Sequence, residues 1–224
     1  MLSLVATPIG NLGDITHRAL ETLRSADVIG CEDTRHSLIL LRHYGIEKPL
    51  VSYHQHNEAR RTAELIEQIA NGKHIAIISD AGLPSINDPG HRLLQACIAR
   101  GLPYTIIPGA SAVLTGLIGS GFSTEQFFFG GFLPVKSGGR ERDLLAAAAR
   151  EETSVFFESP HRLLKTLAVC AEKLPDRMIC VARELTKTFE EYRRGMGAEL
   201  LAHYTAHPPK GEIVLVISGA AERR

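Results

Sequence analysis

The 224-residue chain has no net charge, no recognisable cysteine pairing, no apolar run of membrane length and no dinucleotide glycine fingerprint, and each absence excludes a class. Lysine plus arginine number 25, as do aspartate plus glutamate. Proteins that grip RNA mainly through phosphates usually carry a basic surplus, because counterion release supplies most non-specific affinity. Neither half has one: residues 1–112 hold 10 basic and 11 acidic side chains, and the remainder hold 15 and 14. An RNA substrate would therefore be read by a local patch, with weak affinity expected for random RNA. Cys31, Cys97, Cys170 and Cys180 form no CxxC pair and have no histidine at ligand spacing. That argues against a disulfide framework or zinc site and for buried reduced thiols. No apolar run approaches the ~20 residues of a membrane helix, and MLSLVATPIG lacks the charged n-region of a signal peptide, so we expect a soluble, cytoplasmic protein without a membrane partner.

What is present is ordinary globular material. A content of 44% hydrophobic and 22% charged residues excludes a disordered or low-complexity chain. At this size about 70% of the unfolded surface can be buried without staples, which leaves room for one large domain or two small ones. Short β-branched runs alternate with amphipathic stretches: LSLVA, DITHRALETLRSA, DVIGC, TRHSLILLRHY, LVSY, NEARRTAELIEQIANG and HIAIIS. This alternation predicts an α/β fold with a parallel sheet. A helix from about Pro89 to Arg100, a strand at YTIIP and a helix through SAVLTGLIG complete the first half. The composition turns Gly- and Ser-rich from Gly116 to Ser123, which places a domain boundary there: 1–117 and 118–224. The second half reads as strands QFFFGGF, TSVFFE, MICVAR, FEEYRRG and IVLVIS with helices RERDLLAAAAR, HRLLKTLAVCAEK and GAELLAHY. LPVKSGGR between QFFFGGF and the next helix reads as a surface connection or a lid.

Chemistry-bearing residues gather at the carboxyl ends of the predicted strands. TPIGNLGD (7–14) combines Pro8, Gly10 and Gly13, which allow close backbone approach, with a possible helix cap at Asp14. Its glycines do not follow GxGxxG, so a dinucleotide site is not indicated. SDAGLPSINDPG (79–90) is long for a strand-to-helix connection, and IPGASA (107–112) exposes backbone amides at a helix start. In open α/β sheets ligands lie outside the carboxyl ends of the strands, where all three loops fall. CEDTRH (31–36) reads either as a strand end with Asp33 or Thr34 capping a helix or as a functional cluster. SYHQHNE (52–58) sets His54, His56 and Glu58 on one side if extended, but without a fixed ligand geometry, and we expect no metal. In ESPHR (158–162), cations at a helix N-terminus are unfavourable, so Arg162 needs an ion-pair partner or an anionic ligand. RELTK (183–187) follows MICVA.

Taken together, TPIGNLGDIT, CEDTRHS, SYHQHNE, SDAGLPSINDPG, PGASAVLTGLIGSG, FFFGGFLP, ESPHRL and RELTKTFEE resemble the tetrapyrrole-methylase-like superfamily of S-adenosylmethionine enzymes. Within it they are most similar to the branch that methylates the ribose 2′-oxygen of a cytidine in the decoding region of 16S rRNA. The match runs over nearly the whole chain in order, and SDAGLPSINDPG, PGASA and ESPHR in succession are the specific part. The resemblance implies two α/β domains with the cofactor in a cleft between them, and a homodimer that acts on 16S rRNA or the small ribosomal subunit. It places S-adenosyl-L-methionine against Pro8 and Gly10, against Asp80, Gly82, Pro84, Ser85 and Ile86, and against Ser111. Glu158 to Pro160 and Glu212 are expected nearby.

A sulfonium methyl donor is already activated, so catalysis consists mainly of placing a ribose hydroxyl in line with it. The hydroxyl proton calls for a base or for a charge that stabilises the alkoxide. Candidates are Glu32, Asp33, Glu58, Glu184 and Lys187, with the RELTK and CEDTR clusters first. A lysine base would need a lowered pKa, for which Arg183 is at hand. Arg35, Arg42, Arg140, Arg142, Arg162, Arg193 and Arg194 are the candidate RNA contacts. The chain ends at ISGAAERR, without the C-terminal extension of longer family members. A tetrapyrrole methyltransferase would keep the cofactor loops but line its cleft with apolar groups, and a non-catalytic RNA-binding or assembly protein would bind without turnover.

Overall fold

The computed structural model describes residues 1–220, so the final AERR of the expected chain end lies outside the described residues. The chain divides into two compact units, Met1–Ser111 and Ala112–Arg224.

The first unit holds β1 (Leu2–Val5), α1 (His17–Ser25), β2 (Val28–Cys31), α2 (Thr34–His43), β3 (Leu50–Ser52), α3 (Glu58–Ala70), β4 (Ile75–Ile77), α4 (His91–Ala99) and β5 (Tyr104–Ile107). Its sheet has the order β3-β2-β4-β1-β5, and every pairing is parallel. Parallel strands need crossovers, and right-handed ones send chains moving in opposite directions along the sheet to opposite faces. The connections from β1 and β2 run toward the β3 edge, and those from β3 and β4 run back. Accordingly, Ala19 and Leu23 of α1 and Leu41 of α2 pack with Val5, Ile29 and Ile107 on one face. Leu65, Ile66 and Ile69 of α3 and Leu93 and Cys97 of α4 pack with Leu2, Leu4 and Ile77 on the other. Coverage on both faces explains why the strands read as continuous apolar runs instead of alternating ones. The neighbours β2 and β4 send their chains opposite ways, which makes the gap beyond their carboxyl ends the switch point where such folds bind ligands.

The second unit holds α5 (Ala112–Ser120), β6 (Phe127–Phe132), α6 (Ser137–Ala149), β7 (Thr153–Glu158), α7 (Leu163–Lys173), β8 (Met178–Arg183), β9 (Glu191–Met196), α8 (Gly197–Ala206) and β10 (Ile213–Ile217). Its sheet order is β6-β7-β10-β8-β9, with only β6 and β7 parallel. Along β10, Ile213, Leu215 and Ile217 join the core made with α6, α7 and α8. Val214 points the other way, toward α5, so closely that a Cβ on Gly116 would sit 2.7 Å from its methyl. Because α5 packs on this sheet, the units part at Ser111, ahead of the Gly- and Ser-rich stretch that the composition pointed to.

One connection differs from its sequence reading. Ser137–Arg140 of the expected LPVKSGGR loop form the first turn of α6, which leaves a four-residue link, 133–136. Arg140 stabilises the turn by folding back: it is 4% exposed and its guanidinium donates to the carbonyls of Val135 (3.3 Å) and Pro134 (3.5 Å).

Candidate active site

Five loops leave the carboxyl edge of the first sheet, and three of them are joined. The backbone of Thr7, just past β1, exchanges hydrogen bonds with Gly82: Thr7 N donates to Gly82 O at 2.8 Å, and Gly82 N donates to Thr7 O at 3.2 Å. The Thr7 hydroxyl also donates to Ser79 O at 3.1 Å. The loop after β5 closes in from the other side, where a Cβ on Gly109 would stand only 2.8 Å from that of Ala6. A side chain there would push the two loops apart. The fold thus gathers Pro8, Gly10, Asp80, Gly82, Pro84, Ser85, Ile86 and Ser111 at one edge of one unit, as the sequence reading grouped them.

The long loop is held in a costly conformation. Ser85 (φ 76°) and Asn87 (φ 61°) are both left-handed, which non-glycine residues adopt at some expense. The Ser85 hydroxyl is buried without a hydrogen-bond partner, while Ile86 beside it is 46% exposed. Gly90 ends the loop at φ 132°, and a Cβ there would meet the Ser85 hydroxyl at 2.7 Å. A rigid loop that presents an unsatisfied hydroxyl and an exposed apolar side chain has the character of a ligand surface.

Three carboxylates dominate the electrostatics. Burial pushes Asp88 up to about 6, reinforced by repulsion from Glu32 and Asp80. Glu32 is likewise raised by burial and by Asp80, with His54 opposing. The carboxyls of Glu32 and Asp88 have no hydrogen-bond or ion-pair partner among the described residues. Asp80 accepts a long hydrogen bond (3.4 Å) from Asp33 N, which ties the β4 loop to the β2 loop across the switch point. Asp88 was not singled out in the sequence; the available signal was a third acid in a loop at the same sheet edge.

Asp33, Arg35 and Glu58 have structural partners. Asp33 is the N-cap of α2, accepting from Arg35 N at 2.8 Å and pairing with the Arg35 guanidinium at 2.9 Å. These hydrogen bonds hold its carboxyl down at about 2, which suits a cap and not a base. Glu58 accepts from Gly90 N (3.1 Å) and the Tyr53 hydroxyl (3.2 Å), pinning α3 to the start of α4. Among the described residues, no group of three or more His, Cys, Asp or Glu side chains is arranged to hold a metal.

In the second unit Glu158 ends β7 with its side chain fully buried and satisfied. It accepts from Ser159 N at 2.7 Å and from the Thr166 hydroxyl, and pairs with Arg162 at 3.0 Å. Arg162 also donates to Leu133 O at 3.1 Å and is the N-cap of α7, so ESPHR, with Pro160 in its turn, is locked by an internal ion pair. Arg140 is buried as described above, whereas Arg142 is exposed and paired with Asp143. Arg194 donates to the carbonyls of Ser120 (2.5 Å) and Gly119, capping the end of α5.

Lys187 is gripped by two carboxylates, Glu184 and Glu212, each at 2.9 Å. The Glu184 carboxyl further accepts from Glu212 N at 3.0 Å, and its residue lies at φ 50°. Burial pulls the Lys187 pKa down, but the two hydrogen-bonded carboxylates outweigh it and leave it raised. The lowered pKa that a lysine base would need is therefore not met, because Glu184 and Glu212 set it the other way; Arg183 is bound to Glu191 at 2.8 Å. Lys187 stands as a held ammonium ion.

The fold and the crowded carboxyl-edge loops fit a known class. The family model for tetrapyrrole (corrin/porphyrin) methylases matches residues 1–201, and the chain belongs to that family. It is accordingly a methyltransferase, which implies a methyl donor. More particularly, it is 48% identical over 221 residues to "Ribosomal RNA small subunit methyltransferase I" of Synechocystis sp., covering 98% of this chain and 79% of that one. The protein of the same name from Thermotoga maritima is 46% identical, with 97% and 98% covered, and that from Bacillus subtilis is 46% identical, with 98% and 75% covered. Among solved structures, a diphthine synthase superposes with a TM-score of 0.75 at 16% identity, covering 97% of this chain and 89% of that one. A uroporphyrin-III-C-methyltransferase from Thermus thermophilus gives 0.65 at 21% identity, covering 98% and 94%. These two share the fold.

Proposed function

We propose that the protein transfers the methyl group of S-adenosyl-L-methionine to the ribose 2′-oxygen of a cytidine in the decoding region of 16S rRNA. The observation that carries the reading is the near full-length similarity, at 46–48% identity, to relatives named as small-subunit ribosomal RNA methyltransferases; the donor, the 2′-oxygen and the nucleotide are the proposal's own. It is favoured over tetrapyrrole methylation because the family model covers both kinds of enzyme, while the relatives at 46–48% identity carry the ribosomal RNA name.

The carboxyl-edge loops suit the donor chemically. Unpartnered carboxylates at Glu32 and Asp88, with Asp80 beside them, favour a ligand that carries positive charge, while the Ser85 hydroxyl and the Ile86 side chain provide a polar and an apolar contact. When bound, the donor supplies an electrophilic methyl on a sulfonium. The protein's remaining task is to hold the ribose hydroxyl in place and manage its proton. Lys187, kept charged by Glu184 and Glu212, is assigned to stabilise the developing alkoxide and not to act as the base. A homodimer working in the cytoplasm belongs to the same proposal and is checked by light scattering and fractionation.

The test is transfer of labelled methyl from S-adenosyl-L-methionine to 30S subunits and to free 16S rRNA, with the modified nucleotide mapped. One 2′-O-methylcytidine in the decoding region is the expected outcome. Transfer to a base, to a porphyrinoid or to neither RNA would overturn it.

A further inference from the structure

A cavity of about 530 Å³ lies in the second unit, among the β8–β9 turn, β9, the end of α8 and the segment leading into β10. Its lining includes Phe189, Arg193, His203, Tyr204, His207 and Lys210. We propose that this cavity is an RNA subsite that stacks one base of the substrate strand on Phe189 and holds the adjoining phosphate with Arg193 and Lys210. The proposal rests on the reading of ribosomal RNA as substrate and adds where on the protein that strand is gripped.

Three observations support it. Phe189 is 70% exposed in a turn between two strands, although a phenyl ring gains most by burial. The turn that carries it is built to hold its shape: Glu184 and Thr186 both take left-handed backbone angles (φ 50° and 66°), and Glu190 closes it by accepting from Thr186 N at 2.6 Å. Exposed aromatic side chains on a fixed turn are what stack unpaired bases, a contact that tolerates any base because each has a π-face.

The second observation is the arrangement of cations. Glu191 acts as a hinge pin: one oxygen takes Arg183 Nε and the other takes Arg193 Nε, each at 2.8 Å. Arg193 is thereby fixed through Nε alone, and its two terminal nitrogens bond to nothing among the described residues. The Lys210 ammonium likewise has no carboxylate partner there. One oriented guanidinium and one ammonium without a carboxylate partner among the described residues match a phosphodiester.

The third is the histidine pair. His203 and His207 stack with ring centroids 4.7 Å apart and planes at 21°, and burial together with Arg193 and His207 pushes the His203 pKa down. The stacked imidazoles offer flat ring faces and ring N–H donors at the cavity wall. The lining therefore combines flat rings with cations, and its two carboxylates, Glu184 and Glu191, are already paired with Lys187 and with Arg183 and Arg193, which suits a nucleotide better than a purely apolar ligand.

The test combines NMR with kinetics on the intact protein. A short single-stranded oligoribonucleotide is titrated in while the imidazole signals of His203 and His207 are followed. Both are expected to shift, and Phe189→Ala is expected to weaken that binding about tenfold, the effect of losing one stacked base. Lys210→Gln is expected to lower the salt slope of log affinity by about 0.7, one phosphate contact on a single strand. With 30S subunits, Phe189→Ala should raise KM for RNA about tenfold without changing donor affinity, a split that general unfolding would not give. Unshifted histidine signals, unchanged affinity in Phe189→Ala, or an equal response to inorganic phosphate alone would overturn the subsite. Methyl transfer by the parent protein without histidine shifts removes the subsite and keeps the proposed function. Shifts without transfer keep an RNA site and remove the methylation reading.

Discussion

Replacing Asp88 with asparagine is expected to stabilise the protein increasingly above about pH 4, and in full above about 6. In the fold its carboxyl has a pKa of about 6, raised first by burial and then by Glu32 and Asp80, against about 3.9 in an unfolded chain. Between these values the folded chain holds the proton more tightly than the unfolded chain does. Below about pH 4 the carboxyl is neutral in both states and costs nothing; the cost grows as pH rises and is complete above about 6. A difference between about 6 and about 3.9 corresponds to about 3 kcal/mol. Asparagine has nearly the same shape and never ionises, so Asp88→Asn should gain about 3 kcal/mol at pH 8 and close to nothing at pH 4. In urea, with a slope of about 2 kcal/mol per M, the midpoint at pH 8 moves up by about 1.5 M. Because Glu32 contributes to the shift, Glu32→Gln should add less in the Asp88→Asn background than alone. Equal gains at both pH values, or none at pH 8, would refute a strained carboxylate cluster.

Three further outcomes follow from the same geometry. A positively charged donor favours ionised carboxylates, so S-adenosyl-L-methionine affinity measured by calorimetry should rise with pH through about 6 and lose that dependence in Asp88→Asn. Lys187→Ala should lower kcat for methyl transfer by about 10² or more while Lys187→Arg, which keeps the charge, retains part of it; equal loss in both would remove the role of its charge. Glu158→Gln leaves Arg162 without its buried counter-charge and should destabilise the protein by about 3 kcal/mol in urea unfolding, with Arg162→Met in that background recovering part of the loss.

Much of the fold was legible because its signals are local. The apolar runs of β1, β2 and β4 and the i, i+3, i+4, i+7 spacing of Thr62, Leu65, Ile66 and Ile69 need no partner to be recognised. The grouping of the TPIG, SDAGLPSINDPG and PGASA loops was legible too, since parallel strands joined by right-handed crossovers place successive strand ends on one edge. What a chain cannot announce locally is which charges meet. Arg140 looks like a surface cation in the sequence and is an internal clamp in the fold, and Arg162, which needed either an ion-pair partner or an anionic ligand, finds its partner in Glu158. Lys187 looks like a base beside Arg183 until Glu212, from a different strand end, arrives to hold it charged. The first turn of α6 was hidden by two glycines, which weaken helices on average; here Gly139 packs against Pro134, where a Cβ would be 3.1 Å from the proline ring.

The pair of backbone hydrogen bonds between Thr7 and Gly82 has a consequence for anyone who would re-engineer this scaffold. The two loops share a peptide-level splice, so neither is an independent module: a long loop transplanted from a relative would arrive without its matching partner and leave two amide groups unpaired. Exchange of these loops between family members should succeed only when the segment after β1 and the segment after β4 travel together. Recombination libraries that cross over between them should be depleted of folded clones.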